Sequence, residues 1–548
     1  MADGRAQGKL APSRDSASKP QKGGSMRGSE AIWRALEEAR RLNLEAAGEA
    51  PPLAGGGGMS RRALLLALGA TGASALLPRP LRAAPIAPGP VAIIGGGIAG
   101  LSALWHLTQA GIDARLYEAR ARFGGRMYTA RAKGMPSIEA GGQLVNTDHE
   151  DMHALTKEFG VALIDRKGAA HRTMILAGGR EIPEAKLAAA LRGIAGQIDA
   201  DSVRLDQDYA RVAAELDQLS FTGYLDKHAH LMPEPWVRGL MEMTARTEYG
   251  CEPGEASAIE LVFNLPSIEG RRIDVLSRSD ERYLMAGGSS ALIDAMTSRL
   301  ANRLTNNKHV TRIDPLGAGV RLLFADGSTV QASAVIVTTP ASITRKIDFR
   351  IPLPPLWRRF IAEVGLGRNG KVQAVMATRP WEKLIGRGGE IWQRAKSAGV
   401  ALGWDGGVRP ATGPGSVWTW FLGGDEVAAA DLDEPLAFTK KFAAQAEKGV
   451  PGMTAATTNV ARRTNWHRDP MAMGAYVNFR PGQLTRFGRL IWKETDGAAS
   501  APPSAAPVYF AGEHLSDAYP GYMNGGAQTG RLAAKAIIAA RAPARRLS

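Results

Sequence analysis

One stretch constrains the fold of this chain more than any other. Val91-Ala92-Ile93-Ile94 is a short, continuous apolar run, the pattern of a strand buried on both faces of a parallel sheet. Gly95-Gly96-Gly97-Ile98-Ala99-Gly100 follows it. Next come a helical pattern from about Leu101 to Ala110, a stop at Gly111, and a second apolar strand, Ala114-Arg115-Leu116-Tyr117, that closes on Glu118. The whole reads as a βαβ unit. Within it, Gly95 permits the tight turn after the strand. Gly97 has no side chain, so a pyrophosphate can approach the backbone, and Gly100 lets the helix pack close to the sheet. The free N–H groups at the helix start favour phosphates. Glu118 stands about twenty residues further on at a strand end, where it can accept hydrogen bonds from ribose hydroxyls. A glycine-rich turn in an ordinary α/β protein would explain the glycines but not the acid. The unit therefore predicts dinucleotide binding.

At 548 residues the chain is long enough for two or three domains and a large core. Its formal charge is +15, and residues 1–85 carry +6 of it. A basic balance can signal nucleic acid. No basic helix with interleaved aromatics, zinc-finger spacing or RNP pattern is present, so no nucleic-acid partner is expected. Cys251 is the only cysteine, which excludes an internal disulfide, a cysteine-based zinc site and a redox pair; it reads as a buried thiol. No metal site is expected.

Residues 1–25 lack apolar periodicity and read as disordered. From Ser29 to about Ala47 the pattern is helical, with Ile32, Leu36 and Leu42 near one face. Gly48, Pro51 and Pro52 end it, and residues 54–58 form a glycine-rich joint. Ser60-Arg61-Arg62-Ala63-Leu64-Leu65 then resembles a twin-arginine export signal. The apolar stretch behind it, Ala63 to Leu77, is short for a membrane span. The segment implies twin-arginine export machinery as a partner and a periplasmic or exported location. Without it the protein would be cytoplasmic. The segment lies deep in the chain, so Met59 is an alternative start.

Further along, helices are expected between about Glu181 and Leu219. Strands are expected at Val310–Ile313, Val320–Phe324, Val330–Val337, Lys371–Ala377, Ser416–Phe421 and Pro507–Phe510, with turns at Pro315-Leu316-Gly317 and Asp326-Gly327. A closing helix is expected over Gly525–Ala540.

Two more motifs carry a resemblance. After Glu118 comes Ala119-Arg120-Ala121-Arg122-Phe123-Gly124-Gly125-Arg126. Near the C-terminus stand Tyr509-Phe510-Ala511-Gly512-Glu513-His514 and Gly521-Tyr522-Met523-Asn524-Gly525-Gly526-Ala527. With the first motif, these strings resemble the flavin amine oxidase superfamily, over about Val91 to Ala540. The resemblance implies an α/β fold with a Rossmann-like FAD-binding domain and a discontinuous α+β substrate domain. Its expected parts are residues 88–165, 281–345 and 465–541 for FAD, and 166–280 and 346–464 for substrate, behind a leader of residues 1–87. Gly125, Arg126 and Arg120 are expected along the FAD pyrophosphate, where Arg supplies a charge-assisted donor. Glu513 is expected near the ribityl and phosphate region, and Met523 would offer a backbone N–H at the flavin. The start of the last helix would favour negative charge developing there. Val310 is matched to the adenine end. Gly142 and Gln143, in Gly141-Gly142-Gln143-Leu144, match a further family string.

For chemistry, the resemblance points to Lys371 on a substrate-domain strand beside the flavin. It also points to Tyr476 and Tyr522 as two aromatic walls of an amine slot, and to Trp466 nearby. Aromatic faces attract and desolvate an amine. Ala475 stands where members with covalent flavin carry cysteine, so the FAD is expected to be non-covalent. Tyr519 stands where many members carry tryptophan. No arginine occurs in the segment where amino-acid oxidases hold the substrate carboxylate. No strong side-chain base is evident, which suits hydride transfer from the carbon bearing nitrogen. The expected activity is oxidation of a small-molecule amine, with oxygen or another compound as acceptor. An L-amino-acid oxidase, a desaturase-like enzyme and a non-catalytic flavoprotein are the alternatives.

Overall fold

The computed structural model describes residues 28–48 and 88–541, apart from 132, 134–135, 168–170, 264–266, 270–271, 275–279, 396–398, 409–414, 496–497 and 503. The tract 1–25, the glycine joint and the twin-arginine-like segment lie outside the described residues.

A five-stranded sheet organises the dinucleotide end. Its order is Leu304–Thr305, Ala114–Tyr117, Val91–Ile94, Ala334–Val337 and Val508–Phe510, with each neighbouring pair parallel. Val91–Ile94 and Ala334–Val337 are buried along their whole length, as continuous apolar runs in a parallel sheet should be. The helix Ile98–Gln109 packs against the sheet and against the last helix, Met523–Arg541. Small residues bring those two helices together. A Cβ on Gly530 would sit 2.1 Å from the Ala99 carbonyl oxygen, and one on Gly526 would meet the Ile98 side chain at 2.9 Å. Ser102 adds a hydrogen bond of 2.8 Å to the Ala527 carbonyl.

A second, seven-stranded sheet runs in the order Thr457–Arg463, Asn369–Met376, Ser416–Gly423, Gly399–Asp405, Glu390–Ala395, Thr173–Ala177 and Arg180–Glu181. Helices Glu184–Gln207, Tyr209–Leu216, Phe221–Lys227 and Pro235–Tyr249 accompany it. Its apolar face buries Trp381, Trp418, Trp420 and Phe442. The result is a Rossmann-like sheet joined to an α+β region, both assembled from segments distant in sequence.

Three sequence expectations need correcting. The run Val330–Val337 is two strands: Thr329–Ala332 pairs in a four-stranded antiparallel sheet, and Ala334–Val337 enters the parallel sheet, with Ser333 between them. Nothing in the local pattern of Val330–Val337 marks the point where the chain changes sheets. The strand from Val310 continues through Pro315 to Leu316, and Pro315 pairs with Val320. The last helix begins at Met523, two residues before the glycines that suggested its start.

The leader is also less separate than its composition implies. The helix Gly28–Ala46 packs along Glu184–Gln207, burying Ala35, Leu36 and Ala39. Arg40 is buried in an ion pair with Asp199. Asn43 donates to the Arg192 carbonyl at 2.9 Å, and Arg192 donates back to the Asn43 Oδ1 at 2.9 Å.

Candidate active site

The ends of the parallel strands open into one elongated cavity enclosing about 1870 Å³ of empty space, mouth included. It runs from the βαβ unit to the aromatic residues around Lys371. Every catalytic or cofactor-binding candidate from the sequence lines it except Gly100. Gly100 is instead the packing glycine: its Cβ would lie 2.0 Å from the Gly95 carbonyl oxygen.

The cavity begins at the βαβ unit. Gly95 has a φ of +106°, and a Cβ there would meet the Thr338 hydroxyl at 2.7 Å. Gly97 differs: a Cβ there would touch nothing closer than the Gly125 Cα at 4.0 Å. That open space is the cradle a pyrophosphate needs. The helix behind it has no side-chain cap, which leaves its first N–H groups for a ligand. Glu118 lies below, one carboxylate oxygen accepting the Gly96 N–H at 2.7 Å and the other the Arg120 N–H at 2.8 Å. Each oxygen keeps a lone pair for a ribose hydroxyl. Val310, on the cavity wall near Lys308 and His309, belongs to the same end.

In the middle, motifs from the two ends of the chain meet. Arg126 and Glu513 form an ion pair at 3.0 Å. The second Glu513 oxygen accepts the Gly521 N–H at 2.8 Å. Arg120 also lines the cavity, but its guanidinium is paired with Asp469. Arg122 turns away, donating to the Gly125 carbonyl at 2.9 Å and stacking over Tyr128.

The far end is aromatic. Gly521, at φ +82°, packs its backbone on Tyr476: a Cβ there would lie 3.1 Å from the Tyr476 Cγ. Tyr522 is the next residue, so Tyr476 and Tyr522 reach the cavity side by side. The fully buried His149 ring stands edge-on to Tyr522, at 5.1 Å and 71°, and to Tyr519, at 5.3 Å and 88°. Trp466 donates its indole N–H to the Ala140 carbonyl at 2.8 Å. Met523 packs against Gly142, where a Cβ would meet the Met523 Cγ at 2.8 Å.

Lys371 sits among these groups on the strand Asn369–Met376. Thr464 fixes its backbone, accepting the Lys371 N–H at 2.8 Å through its hydroxyl and donating its own N–H at 2.9 Å. The Lys371 Nζ donates to the carbonyls of Gly141 at 2.8 Å and Glu139 at 3.2 Å, and to Gln143 Oε1 at 3.1 Å. Gln143 is held in turn by the Gly406 carbonyl, to which its amide donates at 3.1 Å. Burial pushes the Lys371 ammonium down to about 8, against the opposing pull of Glu139 and Glu281. Glu139 is itself buried, which raises its carboxyl, while hydrogen bonds from Ser289 and Thr129 oppose that rise.

The sequence reading missed several groups here. Trp404 and Phe421 line this end, as do Glu248 and Glu281. Glu281 follows a stretch with no periodic signal, and Glu248 looks like one more charge on an amphipathic helix. Only the tertiary fold brings them to the cavity.

Comparison with known proteins places these features in context. The family profile for flavin containing amine oxidoreductases matches residues 98–538. A flavin-containing amine oxidase of Oncorhynchus mykiss is 26% identical over 463 residues, covering 82% of this chain and 85% of its own. An L-amino acid dehydrogenase of Synechocystis is 23% identical over 475 residues, covering 81% and 94%. The solved structure of cyclohexylamine oxidase from Brevibacterium oxydans superposes with a TM-score of 0.69 at 22% identity, over 82% of this chain and 99% of that one.

Proposed function

The chain belongs to the flavin containing amine oxidoreductase family, with FAD as its cofactor, and from that premise we propose that it oxidises the C–N bond of a small-molecule amine. The observation that carries this reading is the juxtaposition at one end of the cavity of buried Lys371, the Tyr476–Tyr522 pair and the start of the last helix.

Gly97, the N-terminus of the helix Ile98–Gln109, Arg126 and Glu118 would hold the dinucleotide part of FAD. Gly142, Gln143, Glu513 and Met523 would border its remainder. A bound FAD would supply the two-electron acceptor for a hydride from the carbon bearing nitrogen, with oxygen as the final acceptor and hydrogen peroxide as its product. Tyr476 and Tyr522 would orient the amine and strip it of water, which favours its neutral form. Lys371, held by Gln143 and by the Gly141 carbonyl, would present a fixed polar group at the reacting end. Water from solvent would hydrolyse the product imine to an aldehyde or ketone. Ala475 lines the cavity and carries no thiol, and Cys251 is buried elsewhere, which supports non-covalent FAD.

Among the described lining residues, the cations Arg120, Arg126 and Lys308 serve the dinucleotide half. The aromatic half has Lys371, whose protons go to three acceptors. This distribution favours amines over L-amino acids, whose carboxylate needs a cation. Aerobic turnover with matched amines and amino acids tests the reading: peroxide and aldehyde should form from amines, whereas a keto acid formed from amino acids alone would contradict it.

A further inference from the structure

Resting on the amine-oxidation reading above, we propose that His149 is a positioning residue of the substrate slot. It braces Tyr522 from behind and so fixes the gap between Tyr522 and Tyr476, which selects the shape of amine that reacts.

Tyr522 lines the cavity, whereas His149 and Tyr519 do not. The His149 ring is 0% exposed and stands edge-on to both tyrosine rings, at 5.1 Å from Tyr522 and 5.3 Å from Tyr519. Contacts of this kind favour one mutual arrangement of the rings. The imidazole is itself held. Its Nδ1 meets the Asn146 N–H at 3.1 Å, and against a backbone donor that nitrogen can only accept, which sets the orientation of the ring.

The backbone behind His149 is fastened to the segment that carries Tyr522. Tyr519 donates its hydroxyl to the carbonyl of Asp148, one residue before His149, at 2.8 Å. His149 is the N-cap of the helix Glu150–Glu158. The Met152 N–H, one of the first-turn donors that a helix leaves open, goes to Asn524 Oδ1 at 3.0 Å, and Asn524 is fully buried two residues beyond Tyr522. Arg531, on the last helix, grips both Asp151 carboxylate oxygens at 2.5 and 2.8 Å. The chain is thus tied down on either side of Tyr522, at Tyr519 and at Asn524, and His149 touches the ring between those ties. Gly521, next to it, packs on Tyr476. A smaller side chain at position 149 would leave a void behind Tyr522, and the ring could move into it and widen the slot.

The test compares n-alkylamines with ring-bearing amines of the same carbon number in the flavin-loaded protein. His149→Asn keeps a good helix N-cap and a side-chain acceptor for the Asn146 N–H while removing the ring. In that variant kcat/KM for the ring-bearing amine, relative to the n-alkylamine, should rise by about tenfold or more, the scale on which small changes in pocket size discriminate substrates. The n-alkylamine should lose kcat, because a loosened wall costs alignment at the reacting carbon, and the ring-bearing amine should show a lower KM. His149→Phe restores a ring without the acceptor. It should return the ratio toward that of the unmutated protein even as its unfolding temperature falls. If His149→Asn loses its flavin, Tyr519→Phe removes only the hydroxyl bond to the Asp148 carbonyl, and should move the ratio the same way by about two- to tenfold. A ratio unmoved in the flavin-holding variant would overturn the proposal and leave amine oxidation standing. So would an equal fall in kcat for both amines, the mark of a merely structural residue, or a ratio in His149→Phe shifted as far as in His149→Asn. Failure of every amine to reduce the flavin of the unmutated protein would overturn the amine-oxidation reading itself, and this proposal with it.

Discussion

Arg126 and Glu513 are 387 residues apart in sequence and meet in an ion pair at 3.0 Å. The contact closes the cavity's midsection, joining the loop that follows the βαβ unit to the segment that leads into the last helix. Glu513 is also the acceptor for the Gly521 N–H, so it sets the turn that carries Tyr522. Replacing it with glutamine keeps the shape and removes the charge. Glu513→Gln should cost about 1.5–3 kcal/mol of stability and weaken FAD retention. Urea unfolding and flavin-release measurements would check this, and an unchanged midpoint with unchanged retention would count against the role assigned to the pair.

Two glycines of the βαβ motif should fail in different ways. A methyl on Gly97 would enter open space, with its nearest neighbour at 4.0 Å, whereas a methyl on Gly100 would sit 2.0 Å from the Gly95 carbonyl oxygen. Gly97→Ala should therefore leave the thermal stability of the flavin-free protein within about 0.5 kcal/mol while lowering FAD affinity. Gly100→Ala should lower stability whether or not FAD is present. Calorimetry on both forms separates the two outcomes, and equal effects on both forms for Gly97→Ala would refute the cradle.

Lys371 makes stability depend on pH in a definite direction. Its ammonium is pushed down to about 8 by burial, from an ordinary value of 10.5. Between those pH values the unfolded chain holds a proton that the folded chain has lost. Stability should therefore rise with pH across that window, and the penalty is fully present below pH 8. The contribution is roughly 3 kcal/mol across the window. Lys371→Met should flatten this rise and slow amine turnover by about two orders of magnitude, with FAD still bound. Denaturation at a series of pH values, alongside turnover, is the check. A slope that persists in the variant would assign it to another group.

The N-terminal helix should behave as part of the body. Leu36 is 1% exposed, where Gly28–Ala46 packs on Glu184–Gln207. Leu36→Ala should cost about 2–5 kcal/mol. Chemical denaturation decides it, and a neutral substitution would mean that the helix does not dock.

How much of this was readable in advance depended on how local each signal is. Gly95, Gly97 and Glu118 announce themselves because a strand, a turn and a helix must follow in order, and each residue has a stated job within about thirty positions. The strands Val91–Ile94 and Ala114–Tyr117 were legible for the same reason. Val330–Val337 was not, because the change of sheet at Ser333 is decided by partners far away in sequence. The tyrosines and Lys371 were found through family resemblance, since nothing in their local pattern distinguishes them from core or solvated residues. His149, Glu248 and Glu281 carried neither kind of signal. Their positions at or behind the cavity wall rest on Asn146, Arg166 and Asn369, contacts that exist only in the folded chain.

The most direct test of the central claim is an anaerobic absorbance titration of the purified, flavin-loaded protein with a panel of amines. The account predicts a yellow protein whose flavin band bleaches on adding an amine, with the bleached form recovering when oxygen is admitted. A protein that takes up no flavin, or a bound flavin that no amine reduces, would contradict it.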